Sequence, residues 1–117
     1  MHEFSIAMSI IEIAEKEASA ARAVSVSEIV LDIGTQSGIE FEALETALEM
    51  AVKGTLLEKA KIQINKISAQ AKCIECSTVF MIKNLYDPCP SCNSIYHQII
   101  SGKELKVKSI VVETGKD

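Results

Sequence analysis

The chain has 117 residues, of which 48% are hydrophobic and only 4% aromatic, and a formal net charge of −4. That length suits one compact domain, or one core with a small appendage. No apolar run is long enough for a transmembrane helix, and no positively charged n-region precedes the first apolar stretch, so the expectation is a cytoplasmic protein with no membrane partner.

From Glu3 to about Arg22 the pattern is helical. Phe4, Ala7, Met8, Ile11, Ala14, Ala18 and Ala21 recur at steps of three and four, and Ile6, Ile10 and Ile13 widen that face. Only a narrow polar stripe is left (Ser5, Ser9, Glu12, Lys16, Ser19), so the helix is expected to be mostly buried against a sheet. In SVSEIVLDIG, Ile29, Leu31 and Ile33 alternate with Glu28, Val30 and Asp32, which is strand periodicity closed by Gly34. GTQSG reads as a loop. A second amphipathic helix is expected from about Ile39 to Lys53, with Phe41, Leu44, Ala47, Leu48 and Ala51 on one face and Gly54 as its stop.

KIQINKIS then alternates as a second strand, and ELKVKSIVVE as a third. In the third, Leu105 and Val107 share one parity while Ile110 and Val112 share the other, as at a bulge or in a strand covered on both faces. Between these two strands, residues 69–102 hold all four cysteines and both prolines. If the flanking strands share a sheet, that segment is an insertion. The expected fold is α/β: two helices on a small sheet of about three strands, with an inserted four-cysteine zinc-ribbon module.

The cysteines read Cys73-Ile-Glu-Cys76, twelve residues, then Cys89-Pro-Ser-Cys92. A turn over each pair aims both sulfurs at one point. Four thiolates about 2.3 Å from Zn(II) close a tetrahedron with no open position, which is a structural site rather than a hydrolytic one. The metal also stands in for a core that so short a segment cannot build. Two disulfides would suit an exported chain, and a redox pair would need only one Cys-x-x-Cys. Four thiolates also suit iron, whose colour would reveal it. Zinc ribbons serve many tasks, so the metal alone does not give the function.

The first three residues, Met1, His2 and Glu3, carry a second metal chemistry. An α-amine and an imidazole both lose protons near neutral pH. The Met1 amine and the His2 backbone nitrogen close a five-membered ring around one metal, and that backbone nitrogen and His2 Nδ1 close a six-membered ring. The Glu3 backbone nitrogen, its carboxylate or a more distant donor would complete the set. Nitrogen donors in a plane suit Ni(II) or Cu(II). His2 as a solvated terminal residue and Glu3 as a helix-dipole partner are the plainer readings.

An MHEFSIAMSI start, a strand–Gly–loop in VLDIGTQSGIE and the CIEC…CPSC insertion together resemble the HypA/HybF family of nickel metallochaperones, over essentially the whole chain. The resemblance implies a non-enzymatic carrier of Ni(II) for [NiFe] hydrogenase maturation, in some organisms also for urease. Nickel would bind at Met1, His2 and Glu3, and structural Zn(II) at Cys73, Cys76, Cys89 and Cys92. Residues 1–68, completed by 103–117, would form the nickel-binding α/β domain, and residues 69–102 the zinc-binding domain. The partners would be the GTPase HypB and the hydrogenase large-subunit precursor. No Gly-rich phosphate loop is present, so nucleotide energy would come from the partner.

The alternative is a zinc-ribbon module binding nucleic acid or the transcription machinery. Residues 1–60 carry four basic and eleven acidic side chains and residues 61–117 eight basic and five acidic, so only the second half is net positive, and such a module would use its Lys72, Lys83 and the run Lys103, Lys106, Lys108. Scarce aromatics leave few stacking platforms, and the lysines equally fit a charge-protected edge strand. His97 is expected to be exposed on a strand, since four thiolates already complete the zinc shell. Glu40, Glu42, Glu45 and Glu49 make the second helix acidic, usually a solvated face and less often a docking one.

Overall fold

The computed structural model describes residues 2–115. Eight elements follow in order: α1 (Glu3–Ala20), β1 (Ala23–Gly34), α2 (Phe41–Ala51), β2 (Lys61–Ile67), β3 (Gln70–Cys73), β4 (Val79–Met81), β5 (His97–Ser101) and β6 (Leu105–Thr114). They form two three-stranded sheets, ordered β2-β1-β6 and β4-β3-β5. The strands flanking the cysteine segment thus lie on either side of β1 in one sheet, and that segment carries a small sheet of its own.

The chain divides into two compact units. One holds Met1–Asp32, Ile39–Asn65 and Lys106–Asp117, and the other Ile33–Gly38 and Lys66–Leu105.

In the first unit, α1 buries Ala7, Ile10, Ile11, Ala14 and Ala18. The buried stripe is narrower than expected: Phe4, Met8 and Ile13 are all about half exposed. Three alanines among the five buried residues let α1 pack closely, while Phe4, Met8 and Ile13 fall beyond that seam. The helix ends where Arg22 takes a left-handed φ of 59°, with its N–H donating to Ser19 O at 3.0 Å. Helix α2 buries Leu44, Ala47, Leu48 and Ala51, as its periodicity requires. It starts on Glu40, whose side chain accepts the Ala43 N–H at 2.7 Å. The turn after it reaches Gly54 at φ 76°.

Strand β1 contributes Val26, Ile29 and Leu31, all essentially inaccessible. Its buried parity changes between Val26 and Ile29, where the Val26 N–H donates to Leu56 O at 2.8 Å. Asp32, on the partly solvated face, accepts from Asn65 Nδ2 at 2.9 Å. Strand β6 is a sheet edge and carries Lys106 and Lys108. Val107, Ile110 and Val112 are its half-buried positions, following the expected parity change.

In the second unit, β3 pairs antiparallel with β4 and β5, with Ala71 opposite both Phe80 and Ile99 and Cys73 opposite His97. Ala69, Ala71, Cys73, Phe80, Ile82 and Cys89 make its buried cluster. The segment after β1 is bound in by its backbone: Gly34 N–H donates to Glu104 O (2.8 Å), Thr35 N–H to Ile67 O (2.9 Å) and Gln36 N–H to Gly102 O (2.7 Å). A Cβ at Gly34 would overlap the Gly102 carbonyl, so only glycine permits this approach.

Candidate metal centres

The two Cys-x-x-Cys turns are built alike. Cys73 N–H donates to Thr78 O at 2.9 Å and Ser77 N–H to Cys73 O at 2.9 Å; Cys89 N–H donates to Ser94 O at 2.8 Å and Asn93 N–H to Cys89 O at 2.8 Å. Each turn closes through a left-handed residue four positions after its first cysteine, Ser77 at φ 67° and Asn93 at φ 65°. Small polar residues tolerate that conformation better than branched ones. Ser91 N–H also points at Cys89 Sγ, at 3.4 Å.

The turns bring the four sulfurs together. Cys73 Sγ lies 3.5 Å from Cys92 Sγ and Cys76 Sγ lies 3.5 Å from Cys89 Sγ. All four sulfurs lie within 4.8 Å of one another. A regular tetrahedron with metal–sulfur bonds of 2.3 Å has edges of about 3.8 Å. The cluster therefore fits zinc without rearrangement. Cys73 and Cys89 are buried while Cys76 and Cys92 face solvent.

The thiols are unequal. The Thr78 hydroxyl, 3.1 Å from Cys76 Sγ, with the Thr78 backbone, brings Cys76 down to about 6. At Cys92 the Ser94 N–H pulls in the same direction, but the bond its own S–H donates to the Cys73 sulfur, desolvation and further bonds to the sulfurs of Cys76 and Cys89 together push it up to about 12. Thiolates packed this closely repel one another, so a central dication is what makes the fully deprotonated set favourable.

At the other site, His2 is the N-cap of α1, in extended conformation (φ −88°, ψ 98°), and its side chain makes no capping bond. The His2 carbonyl accepts the Ile6 N–H at 3.2 Å. Its imidazole side is exposed. Glu3 opens the helix, and its Oε2 accepts the Glu40 N–H at 3.1 Å. That bond, reinforced by the Glu3 backbone N–H, holds the carboxyl below its ordinary range. Glu3 thus ties the chain start to the beginning of α2. Met1, the remaining expected nickel ligand, lies outside the described residues.

His97 departs from expectation. It is half-buried, opposite Cys73, and packs edge-on against Phe80 at 5.8 Å between ring centroids. Its Nδ1 is buried without a hydrogen-bond partner. The strand parity of SIYHQII holds the signal for this, because His97 and Ile99 share the face that meets Phe80 and Ala71. The Glu3–Glu40 bond had no signal in the sequence, because it joins residues 37 apart.

A family model described as "Hydrogenase/urease nickel incorporation, metallochaperone, hypA" matches residues 1–112. The hydrogenase maturation factor HypA of Parabacteroides distasonis is 47% identical over 113 residues, covering 97% of this chain and 98% of that protein. The HypA of Geobacter sulfurreducens is 40% identical, covering 97% and 100%. The solution structure of the Ni metallochaperone HypA from Helicobacter pylori superposes with a TM-score of 0.70 at 26% identity, over 98% of this chain and all of that one. The chain belongs to the HypA family of metallochaperones for nickel incorporation into hydrogenase and urease.

Proposed function

We propose that this chain binds Ni(II) through Met1, His2 and Glu3, and passes it on during maturation of [NiFe] hydrogenase without itself catalysing a reaction. The observation that carries this reading is the start of α1. The first N–H groups of a helix have no partner within it, so the amides of His2 and Glu3 can lose their protons to a metal without breaking a helical bond. The donors are the Met1 amine, the His2 amide nitrogen and Nδ1, and the Glu3 amide nitrogen, a planar set that suits Ni(II). The Glu3 carboxylate, engaged with Glu40, holds this segment against α2 rather than serving as the fourth donor.

Cys73, Cys76, Cys89 and Cys92 hold zinc, which supplies the covalent-strength closure of the unit around them. The first compact unit acts as the nickel-binding domain. The second acts as the zinc-binding domain, and Ile33–Gly38 goes with it. The partners are the GTPase HypB, which supplies the nucleotide energy, and the hydrogenase large-subunit precursor. Handover takes place in the cytoplasm, and no described helix is long and apolar enough to cross a membrane. Micromolar affinity, about −8 kcal/mol, suits a carrier that must release its cargo.

Calorimetric Ni(II) titration of three forms tests the site: the chain with Met1 as its first residue, the same chain with one added N-terminal residue, and His2→Ala. One-site binding is expected in the first and lost in the other two. Equal binding by all three removes the site. Because the amine and imidazole must be unprotonated, affinity is expected to fall as the pH drops below about 6.5; unchanged affinity from pH 7.5 to 5 would exclude these donors.

A further inference from the structure

Both crevices along the seam between α1 and α2 have apolar floors and acidic rims. The first, about 640 Å³, is lined by Phe4 on α1 and Ala43, Ala47 and Met50 on α2, together with His2, Glu3 and Glu42. The second, about 310 Å³, is lined by Met8, Ile11 and Ala51, with Glu12 and Glu15. The helices run in the same sense, because Glu3 bonds to the start of α2 and Glu15 Oε2 accepts the Leu56 N–H just beyond its end, at 2.9 Å. The two crevices therefore follow one another along one seam.

Three large side chains stand open along it: Phe4 is 52% exposed, Met8 48% and Met50 60%. Phe4 and Met8 are one helical turn apart and share a face. Burying them against the core is not what they do; they leave a strip of apolar surface beside the seam. Methionines are flexible and polarisable, and adapt to varied partners. No lysine or arginine lines either crevice among the described residues, while Glu42 and Glu12 do. Glu45 and Glu49 add charge to the exposed side of α2.

An apolar strip between two helices, edged by carboxylates, matches an amphipathic helix that offers apolar anchors at i, i+3, i+4 and i+7 and cations beside them. We propose that the α1–α2 seam docks a lysine- or arginine-rich amphipathic helix of a partner protein. The inference rests on the carrier reading, in which a partner must be held beside the nickel-binding end, and His2 lines the same groove. The acids of α2 then act in recognition and steering as well as solvation.

The test uses the full chain and a fluorescent synthetic peptide of about 18 residues, five helical turns, with leucines at i, i+3, i+4 and i+7 and lysines elsewhere. Two controls accompany it: the same peptide with glutamate for lysine, and one of the same composition reordered so that no apolar face forms. Anisotropy titration is expected to give a micromolar Kd for the first peptide and at least tenfold weaker binding for both controls. Met50→Lys is expected to weaken the first peptide at least tenfold, and Glu12→Lys with Glu42→Lys severalfold. Equal binding by all three peptides, or wild-type affinity in Met50→Lys, overturns the proposal. So does self-association of the wild type that Met50→Lys abolishes, because the occupant is then a second copy of the chain. Met50 is exposed, so its replacement keeps the fold, which a circular-dichroism melt verifies. Ni(II) titration of Met50→Lys separates the two readings: retained nickel binding with lost peptide binding isolates the groove, and loss of nickel binding in the wild type concerns the carrier reading alone.

Discussion

The two compact units of this chain are stabilised differently. The first closes on leucines and isoleucines from two helices and a sheet: Ile29, Leu31, Leu44 and Leu48 are almost wholly inaccessible. The second has a buried cluster of six side chains, of which two are the cysteines Cys73 and Cys89 and two are alanines. Several of its large apolar side chains, among them Ile74, Met81, Tyr86 and Tyr96, stay exposed, with no core to enter. A segment that short cannot remove enough apolar surface from water to offset its chain entropy. A metal held by the four cysteines would complete the second unit's core, whereas the first unit closes on its own apolar side chains.

Metal removal is the largest expected effect and separates the units most sharply. Structural zinc in small domains contributes about 10–16 kcal/mol of apparent binding free energy, which is folding free energy when no site exists in the unfolded chain. A strong chelator, or Cys76→Ser with Cys92→Ser, is expected to collapse the amide resonances of residues 69–101 toward random-coil positions. The far-ultraviolet signal of α1 and α2 should persist. Simultaneous loss of both would mean that the first unit also depends on the metal.

The converse experiment is smaller and acts on the other unit. Leu48 is 1% exposed in the first unit's core. Truncating a buried leucine to alanine costs about 2–5 kcal/mol through lost burial and the cavity left behind. Leu48→Ala is expected to destabilise the first unit by that amount, so that the helices melt at a lower temperature, while leaving zinc stoichiometry unchanged. Zinc loss at the same temperature in this variant would show that the units fold as one.

The same contrast governs what could be read from the sequence. The metal-held part was legible because ligand chemistry is local: Cys73-x-x-Cys76 and Cys89-x-x-Cys92 state the cluster directly, and the structure places the sulfurs together. Helix α2 and strands β2 and β6 were legible because periodicity reports burial when one face meets one core. Helix α1 was over-read: its apolar residues spread so widely that periodicity could not separate the Ala-lined packing face from Phe4, Met8 and Ile13, which stand outside it. The four-residue strand β3 and three-residue strand β4 were too short to show alternation. For His97, parity places it on the face of Ile99, but what that face meets depends on register, with Cys73 opposite it and Phe80 across the sheet. The Glu3–Glu40 and Glu15–Leu56 bonds are tertiary contacts that no local pattern encodes.

The smallest expected effect concerns that first bond and tests what Glu3 does. Its carboxyl is held below the ordinary range in the folded chain, chiefly by the Glu40 N–H. Its contribution is therefore complete above the unfolded value, about 4.3, and fades as the pH falls through the lower folded value. Glu3→Gln keeps an acceptor oxygen but loses the charge that strengthens the bond. A slight lowering of the thermal midpoint at pH 7 is expected, narrowing as the pH approaches 3. An equal deficit at both pH values would mean that the charge is not what holds the segment. Nickel gives a second reading of the same variant: the backbone nitrogen of residue 3 is unchanged by the substitution, so nickel stoichiometry at pH 7 is expected to survive. If binding were lost while the midpoint barely moved, the Glu3 carboxylate would be a nickel donor and its bond to Glu40 would have to open to let the metal in.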